Sequence, residues 1–472
     1  MGIRVDIKRT DFYNELSEEK QKQFFSATSH KFLPAIDNIY YSVSIKNDYN
    51  GNIHLKPYFE RLDEIKLTCT EERRPYPIGN GLLVDLLSYS IYKYCITNPD
   101  LYDIFLSNYL PNESTPRIVV QIRAYGLWVH GAEKMIADSY NSVVNLLSEV
   151  GLEVNSVKEN RLDFCYHTNA ILKPERAFSD RNMGTKLNTT MKKWRQEGRI
   201  QSGDNGLILQ KDYIIFGNRT SNNVVARIYN KALEVIEMGY KGFFFEIWHK
   251  NGLISEYDKY CFEKALLNGN YNYIHKAKLE FYIEHGANEM VKREFRLTVA
   301  DENLTYEDAE KLAASYMPEV TTVLNIEYET KRKFYYYSDE FIDSVLLMDM
   351  AKERGGVPVP LRRLYKIIDN RGVFLDYLTS VTLSFKRADG RYAAWWERLR
   401  KTRLDGLKVD IKLVRDYSSE LDEEIARKRF VNTVVTNAVY AGNTQTGFVE
   451  DITDLLSSIN DNEVLKLRIN YI

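Results

Sequence analysis

The chain has 472 residues, 44% of them hydrophobic and 28% charged, with only 11 prolines and 24 glycines. That balance excludes disordered, collagenous and low-complexity classes, and at roughly 100 to 200 residues per domain the length suggests two or three domains. A formal net charge of −2 offers no global attraction to nucleic acid or to an anionic membrane, so any polyanion site must come from local clustering.

The opening "MGIRVDIKRTDFYNELSEEKQKQ" is charged throughout and lacks the apolar core of a signal peptide. No later window offers the roughly 18 uninterrupted apolar residues of a membrane helix, so a cytoplasmic protein without membrane contact is expected. Asp6 stands where a myristoylation signal wants Ser or Thr. Cys69, Cys95, Cys165 and Cys261 lie far apart with no CxxC, which suits a reducing compartment.

Up to about residue 116, a polar helical segment is followed by "IDNIYYSVSI" (36–45), a strand bounded by the turn residues "KNDYNGN", and "NGLLVDLLSYSIYKYCI", whose apolar residues fall at helical spacing. From 117 the pattern reads strand ("RIVVQIRAYGLWV"), amphipathic helix closed by Gly151, then strand ("VKENRLDFCYHT"), a unit that usually makes a right-handed crossover on a sheet. "MGTKLNTTMKKWRQEGRIQSGDNG" reads as a basic loop. "LILQKDYIIFGN" and "NNVVARIYNK" read as two strands joined through "NRTS" in a hairpin. A helix is expected from about 253 to 268, then a strand pair, "AKLEFYIE" and "VKREFRLTVA". Beyond 302 the texture turns helical: "TYEDAEKLAASYMPEVTTVL", "SDEFIDSVLLMDMAKE", "VPLRRLYKIIDNRG" and "DEEIARKRFVNTVVTNAV". These elements make an α+β protein with a central, mostly antiparallel sheet, packed helices and a helical C-terminal region. The expected segments are 1–116, 117–302 and 303–472.

Three strings on expected strands carry chemistry: "RLDF" (161–164), "RIYNK" (227–231) and "REFRL" (293–297). Alternate side chains of a strand share a face, which groups Arg161 with Asp163, groups Arg227 with Tyr229 and Lys231, and sets Glu294 and Arg296 opposite Arg293. If these strands neighbour one another, two carboxylates, a tyrosine and several cations meet. Such a set suits phosphodiester chemistry, with carboxylates holding Mg²⁺ or Mn²⁺ and a hydroxyl attacking phosphorus. The plain alternatives stand beside it. The chain holds 34 tyrosines, a strand tyrosine is ordinarily half-buried packing, and the Arg–acid pairs can equally be cross-strand ion pairs on a solvated face.

Between Lys186 and Lys231 nine basic residues, among them Lys192, Lys193, Arg195 and Arg219, face three acidic ones, a local excess that draws a polyanion. Trp194 in "MKKWRQ" could stack on an unpaired base, although a tryptophan in a basic segment more commonly anchors its own core. No GxxxxGK[ST], GxGxxG or HExxH occurs, and the seven histidines include no HxH pair, so a metal would rest on carboxylates. His167 is a conceivable extra ligand, a surface histidine being the commoner reading.

"GNRTSNNVVARIYNKALE" resembles the signature of the Rep_trans replication initiators and the related MOBT relaxases of conjugative elements. "RLDFCYH" is similar to that family's RxDxxxD strand and "VKREFRL" to its later RxE strand. The likeness covers about residues 117–300, and "YAAWWERLRK" resembles the tryptophan-bearing segment that often follows the catalytic core. The resemblance implies a palm-like nicking domain at 117–302, preceded by an α/β segment that completes the sheet or binds DNA. It implies Tyr229 as the nicking nucleophile, Lys231, Arg227 and Arg219 as phosphate-handling cations, and Asp163 and Glu294 as ligands of Mg²⁺ or Mn²⁺. His167 stands where the family has its second aspartate.

The function so implied is a site-specific single-strand DNA endonuclease and strand transferase. It would act at an origin, double-stranded with an exposed single strand, through a covalent 5′-phosphotyrosine. Rolling-circle replication, conjugative transfer of a plasmid or other mobile element, or both would follow. An unperturbed phenol pKa near ~10 requires Lys231, Arg227 and the metal to favour the phenolate. A homodimer is expected by the resemblance, and the C-terminal helices could read sequence, mediate dimerisation or recruit a host helicase. The alternative is a non-catalytic DNA-binding or docking protein of the same fold.

Overall fold

The computed structural model describes residues 17–25, 30–46, 48–72, 74–85, 88–89, 91–109, 115–171, 174–178, 187–189, 194–197, 213–218, 222–285, 311, 314, 317–337 and 357–402. The chain is an α+β protein built on a large antiparallel sheet. It divides into two compact units that interleave in sequence, one formed by 1–41, 122–137 and 157–411 and the other by 42–121, 138–156 and 412–472.

The elements run in chain order as α1 (Glu18–Phe25), β1 (Phe32–Ile45), α2 (Asp48–Glu72), β2 (Tyr76–Gly79), β3 (Leu82–Val84), β4 (Tyr94–Asn98), β5 (Tyr102–Leu106) and β6 (Ile118–Ile122). Next come α3 (Ala124–His130), α4 (Ala132–Ser148), β7 (Val154–Thr168), α5 (Pro174–Ala177), β8 (Leu187–Thr189), β9 (Trp194–Glu197), β10 (Tyr213–Phe216), β11 (Val224–Asn230) and α6 (Lys231–Met238). The rest are α7 (Phe243–Lys250), α8 (Glu256–Asn268), α9 (Ile274–Glu284), β12 (Leu324–Lys331), α10 (Arg332–Tyr337), α11 (Arg362–Asp369), α12 (Arg371–Tyr377), β13 (Leu383–Phe385) and α13 (Ala394–Arg400).

In the second unit the strand order is β2-β3-β4-β5-β6, followed by the ends of β1 and β7. β1 lies between β6 and β7, so the expected crossover skips one strand position. The ends of β1 and β7 are tied by the Lys46 amide to the Glu153 carbonyl at 2.9 Å and by the Ser44 and Ser156 hydroxyls at 2.6 Å. The run at 80–96 with helical leucine spacing is instead two strands, because Leu82 and Val84 are buried in β3 while Tyr94, Cys95 and Ile96 are buried in β4. The turn expected at "KNDYNGN" opens the long helix α2.

In the first unit the order is β1-β7-β12-β11-β10-β9, and a separate pair joins β13 to β8. The hairpin partners expected at β10 and β11 do pair, with Tyr213 opposite Tyr229 and Ile215 opposite Arg227. Several elements differ from their sequence pattern. "AYGLWV", expected to continue a strand, lies in helix α3, with Ala124, Leu127 and Trp128 buried at helical spacing, and the expected basic loop contains the short strands β8 and β9. "AKLEFYIE" is helix α9, since Ile274, Ala277, Phe281 and Tyr282 are buried at helical spacing and Lys278 is buried on Glu319 at 2.9 Å. "LNIEYETK", in the stretch expected to be helical, is strand β12, inserted between β11 and β7. "VKREFRLTVA" (291–300) lies outside the described residues.

Helix α8 helps to place β12. Ser255 caps it, with Asp258 completing a reciprocal capping box. The same Asp258 carboxylate accepts from the Thr321 amide at 2.7 Å and its hydroxyl at 2.8 Å, just ahead of β12. The segment bearing Trp395 and Trp396 is helix α13, with Trp396 fully buried and its indole donating to the Thr379 carbonyl at 2.7 Å. Among the described residues no helix is long and apolar enough to cross a membrane.

Candidate functional site

The site lies on one face of three neighbouring strands in the first unit. Tyr229 of β11 stands opposite Asn325 of β12, which stands opposite His167 of β7. Two residues along each strand, Arg227, Glu327 and Cys165 form the next rung, and then Val225, Glu329 and Asp163. The alternation of strand side chains therefore brings Tyr229, Arg227, Asp163 and Arg161 onto one face, as the sequence pattern requires. It adds Asn325, Glu327 and Glu329, which sequence reasoning missed.

Lys231 continues the chain at the strand-to-helix junction. Asn230 caps α6 by accepting from the Leu233 amide at 3.1 Å, and Gly239 closes the helix at φ +71°. The junction leaves Lys231 buried at the first helical position, its amide bonded to the Val323 carbonyl at 2.8 Å.

The Tyr229 phenol donates to Glu327 Oε2 at 2.9 Å and accepts from Asn325 Nδ2 at 2.9 Å and Lys231 Nζ at 3.3 Å. Arg227 pairs with the other oxygen of Glu327. Burial pushes the Tyr229 phenol well above its ordinary value, and Glu234 and Glu327 add to that against the pull of Lys231 and Arg227. The resting side chain is thus a neutral phenol. The phenolate expected from neighbouring cations is corrected on two grounds: the ring is buried, and the Arg227 guanidinium is engaged by Glu327.

Arg161 grips Asp163 through both carboxylate oxygens, at 2.7 and 2.6 Å, reaches Glu329 at 3.1 Å, and lies over the Tyr40 ring. Burial raises the Asp163 carboxyl to about 7, with Glu327 and Glu329 adding to it against the Arg161 pair. On the other side of Tyr229, the Lys231 ammonium touches Glu234 at 2.7 Å and Asp37 of β1 at 3.8 Å. Burial alone would lower its pKa, yet the surrounding carboxylates, Asp37, Glu234 and Glu327 among them, hold it well above the ordinary lysine value. Asp37 accepts from the Trp128 indole at 3.1 Å, and although burial alone would raise its carboxyl, Lys231 and its other neighbours hold it down to about 2.

Within these ion pairs five carboxylates, Asp37, Asp163, Glu234, Glu327 and Glu329, meet three cations, Arg161, Arg227 and Lys231. The mostly buried cluster carries two excess negative charges when fully ionised, a charge that one divalent cation would offset. Arg161, the most exposed of the three cations, now fills the space between Asp163 and Glu329.

Asp37, Cys165 and His167 also bring one donor atom each within 4.8 Å of one another. These three do not fit a cation. The Trp248 indole donates to His167 Nδ1 at 3.0 Å, which leaves Nε2 as the protonated nitrogen, and that atom is buried without a hydrogen-bond partner. Burial also keeps the Cys165 thiol protonated, and Asp37 is already taken by Lys231 and Trp128. His167 is therefore no surface residue. It is fully buried, stacked on Trp128 at 4.5 Å and held neutral by burial and by Lys231.

Glu294, Arg219, Lys192 and Lys193 lie outside the described residues. Trp194 and Arg195 belong to β9, opposite Phe216 and Ile215, and their side chains lie outside the described residues.

No family model and no curated protein matches the chain. Among solved structures, the rolling circle replication initiator protein from Geobacillus stearothermophilus is similar at a TM-score of 0.33 and 10% identity, over 78% of this chain and 95% of that one. Likeness at that level carries no chemistry with it.

Proposed function

We propose that this chain is a DNA-nicking and joining enzyme in which Tyr229 is the nucleophile. The observation that carries the reading is the Tyr229 hydroxyl donating to Glu327 at 2.9 Å on a face that also holds Asp163, Glu329, Arg161 and Arg227. A neutral phenol is a weak nucleophile, and a carboxylate in contact with its proton is the general base it needs. The Tyr229 oxygen bonds to phosphorus as its proton passes to Glu327. The bond from phosphorus to the 3′ oxygen breaks, and that oxygen takes up a proton to leave a 3′ hydroxyl. The 5′ phosphate stays on Tyr229 until a 3′ hydroxyl reverses the step and rejoins the strand.

Asn325 orients the phenol, and Lys231 and Arg227 supply positive charge for the non-bridging oxygens. A divalent ion, Mg²⁺ or Mn²⁺, held by Asp163 and Glu329 with Arg161 displaced, would polarise the phosphate. The "RLDF" and "RIYNK" strings, in the order seen in replication initiators and relaxases, support DNA as the substrate, with origin nicking in rolling-circle replication or conjugative transfer as the role.

A docking protein without catalysis is the second reading, favoured by the 7% exposure of Tyr229. Single-stranded oligonucleotides tiling the DNA around the gene, incubated with the protein and Mn²⁺ and resolved by denaturing electrophoresis, separate the two. A covalent band lost in Tyr229→Phe supports the enzyme, and binding without any such band supports docking.

A further inference from the structure

The resting Tyr229 oxygen has no free lone pair. It gives its proton to Glu327 and accepts from both Asn325 and Lys231, the full capacity of a phenolic oxygen. Attack on phosphorus while the proton leaves uses one lone pair, so one of the two donors must let go. Asn325 is the shorter contact, and its amide also lies 3.4 Å from Glu327 Oε2. Lys231 makes the longer contact, ends in a flexible arm, and carries the charge that a phosphate oxygen attracts. Lys231 is therefore the donor that leaves.

Its departure has to be short, because an ammonium this deeply buried is stable only beside its carboxylates. Two residues hold it: Glu234, three positions along on α6, and Asp37, which reaches it from β1. Glu234 is partly exposed, whereas Asp37 is buried and is itself fixed by the Trp128 indole at 3.1 Å. The rings of Tyr229, at 5.4 Å, and Phe244, at 5.2 Å, close around the same ammonium.

We propose that Asp37 is a positioning residue for the nucleophile: it keeps the Lys231 ammonium against the Tyr229 phenol at rest and within reach of the phosphate when the phenol attacks. Asp37 lies outside every chemical string of the sequence and nearly 200 residues from Tyr229. This rests on Tyr229 being the nucleophile. In the absence of DNA the Lys231 contact blocks the attacking lone pair, so an incoming phosphate arms the phenol by taking Lys231 from it.

The test uses Asp37→Asn in the full chain, a change of the same shape whose amide oxygen still accepts from Trp128. Two measurements are made. First, the protein is labelled with 3-fluorotyrosine and the Tyr229 ¹⁹F line is identified by its loss in Tyr229→Phe. In Asp37→Asn this line should shift without DNA present, because the capping charge has moved. Second, adduct formation is timed in single turnovers with the single-stranded oligonucleotide that the unmutated protein cleaves best, or a random-sequence pool if none stands out. The rate should fall tenfold or more while oligonucleotide affinity changes less than twofold, and Asp37→Glu should recover part of the rate.

An unmoved ¹⁹F line shows that Asp37 does not place Lys231, and overturns the proposal. A shifted line with an unchanged rate also overturns it, since the placement then serves packing alone. If the unmutated protein forms no adduct, or Tyr229→Phe forms it equally well, the nucleophile assignment fails, and the fluorine line still reports separately whether Asp37 anchors Lys231. Should Asp37→Asn fail to fold, Asp37→Ser, which also removes the carboxylate facing Lys231, is read by the same two measurements; the fluorine line should shift and the rate should fall, and no change in either overturns the proposal.

Discussion

Raising the pH from 5 to 8 in the presence of a chelator should cost the native protein about 3 kcal/mol at Asp163, and a divalent cation should return most of it. Burial, with Glu327 and Glu329 alongside, moves this carboxyl from an ordinary 3.8 to about 7 in the folded state. The folded protein then holds the proton more tightly than the unfolded chain does. The contribution is fully present below the unfolded value and is lost as the pH rises through about 7. Two units separate pH 5 from that midpoint, and at roughly 1.4 kcal/mol per unit the loss is about 3 kcal/mol. His167 runs the other way. Its lowered pKa makes its term grow as the pH rises toward the ordinary histidine range. Comparison with Asp163→Asn cancels the His167 term, because both proteins carry it. The assay is urea unfolding of the two proteins at pH 5 and pH 8, with chelator and with Mn²⁺. Unmutated protein should lose about 3 kcal/mol relative to Asp163→Asn, and Mn²⁺ at about 100 times its Kd should add roughly 2.7 kcal/mol at pH 8. Little should be added at pH 5, where the proton already occupies the carboxyl. A difference between the two proteins that stays flat from pH 5 to pH 8 would refute the account of the cluster as a buried excess of negative charge.

Other changes give outcomes of stated size. Glu327→Gln should slow adduct formation by about 10² to 10⁴, the usual worth of a general base, with oligonucleotide affinity unchanged; a loss below tenfold assigns the proton to another acceptor. Asp258→Ala removes the capping box of α8 and both bonds to Thr321, and should lower stability by about 1 to 3 kcal/mol in urea unfolding. Trp396→Ala empties a fully buried indole site and strands the Thr379 carbonyl, at a cost of about 3 to 5 kcal/mol; a midpoint shift under 1 kcal/mol would contradict its place in the core.

The strands that carry Asp163 and Tyr229 were legible because their β-branched and aromatic residues alternate with the charged ones, and alternation survives in a short window. The β12 strand was harder to read. "NIEYET" alternates as well, but it follows a run with helical spacing, and nothing local says that Glu327 will lie beside Arg227 rather than in solvent. The same ambiguity turned 80–96 into a helix on paper, since leucines three and four apart satisfy a helix face as readily as two short buried strands. In α9 the confusion ran in reverse, because Lys278 reads as a polar break and only its pairing with Glu319 lets that position be buried. Asp37 had no signal at all. Its role depends on β1 lying beside β7, a tertiary fact, and an isolated aspartate in an apolar strand reads as a solvated residue.

The claim that Tyr229 attacks phosphorus is tested most directly by locating the modified residue. Trypsin cuts after Arg227 and Lys231, so Tyr229 leaves in the four-residue peptide Ile228–Lys231. After incubation with DNA and Mn²⁺, nuclease digestion and trypsin, mass spectrometry should find that peptide carrying a nucleotide through its 5′ phosphate. A covalent adduct whose label sits on any other peptide, with Ile228–Lys231 unmodified, would contradict the assignment.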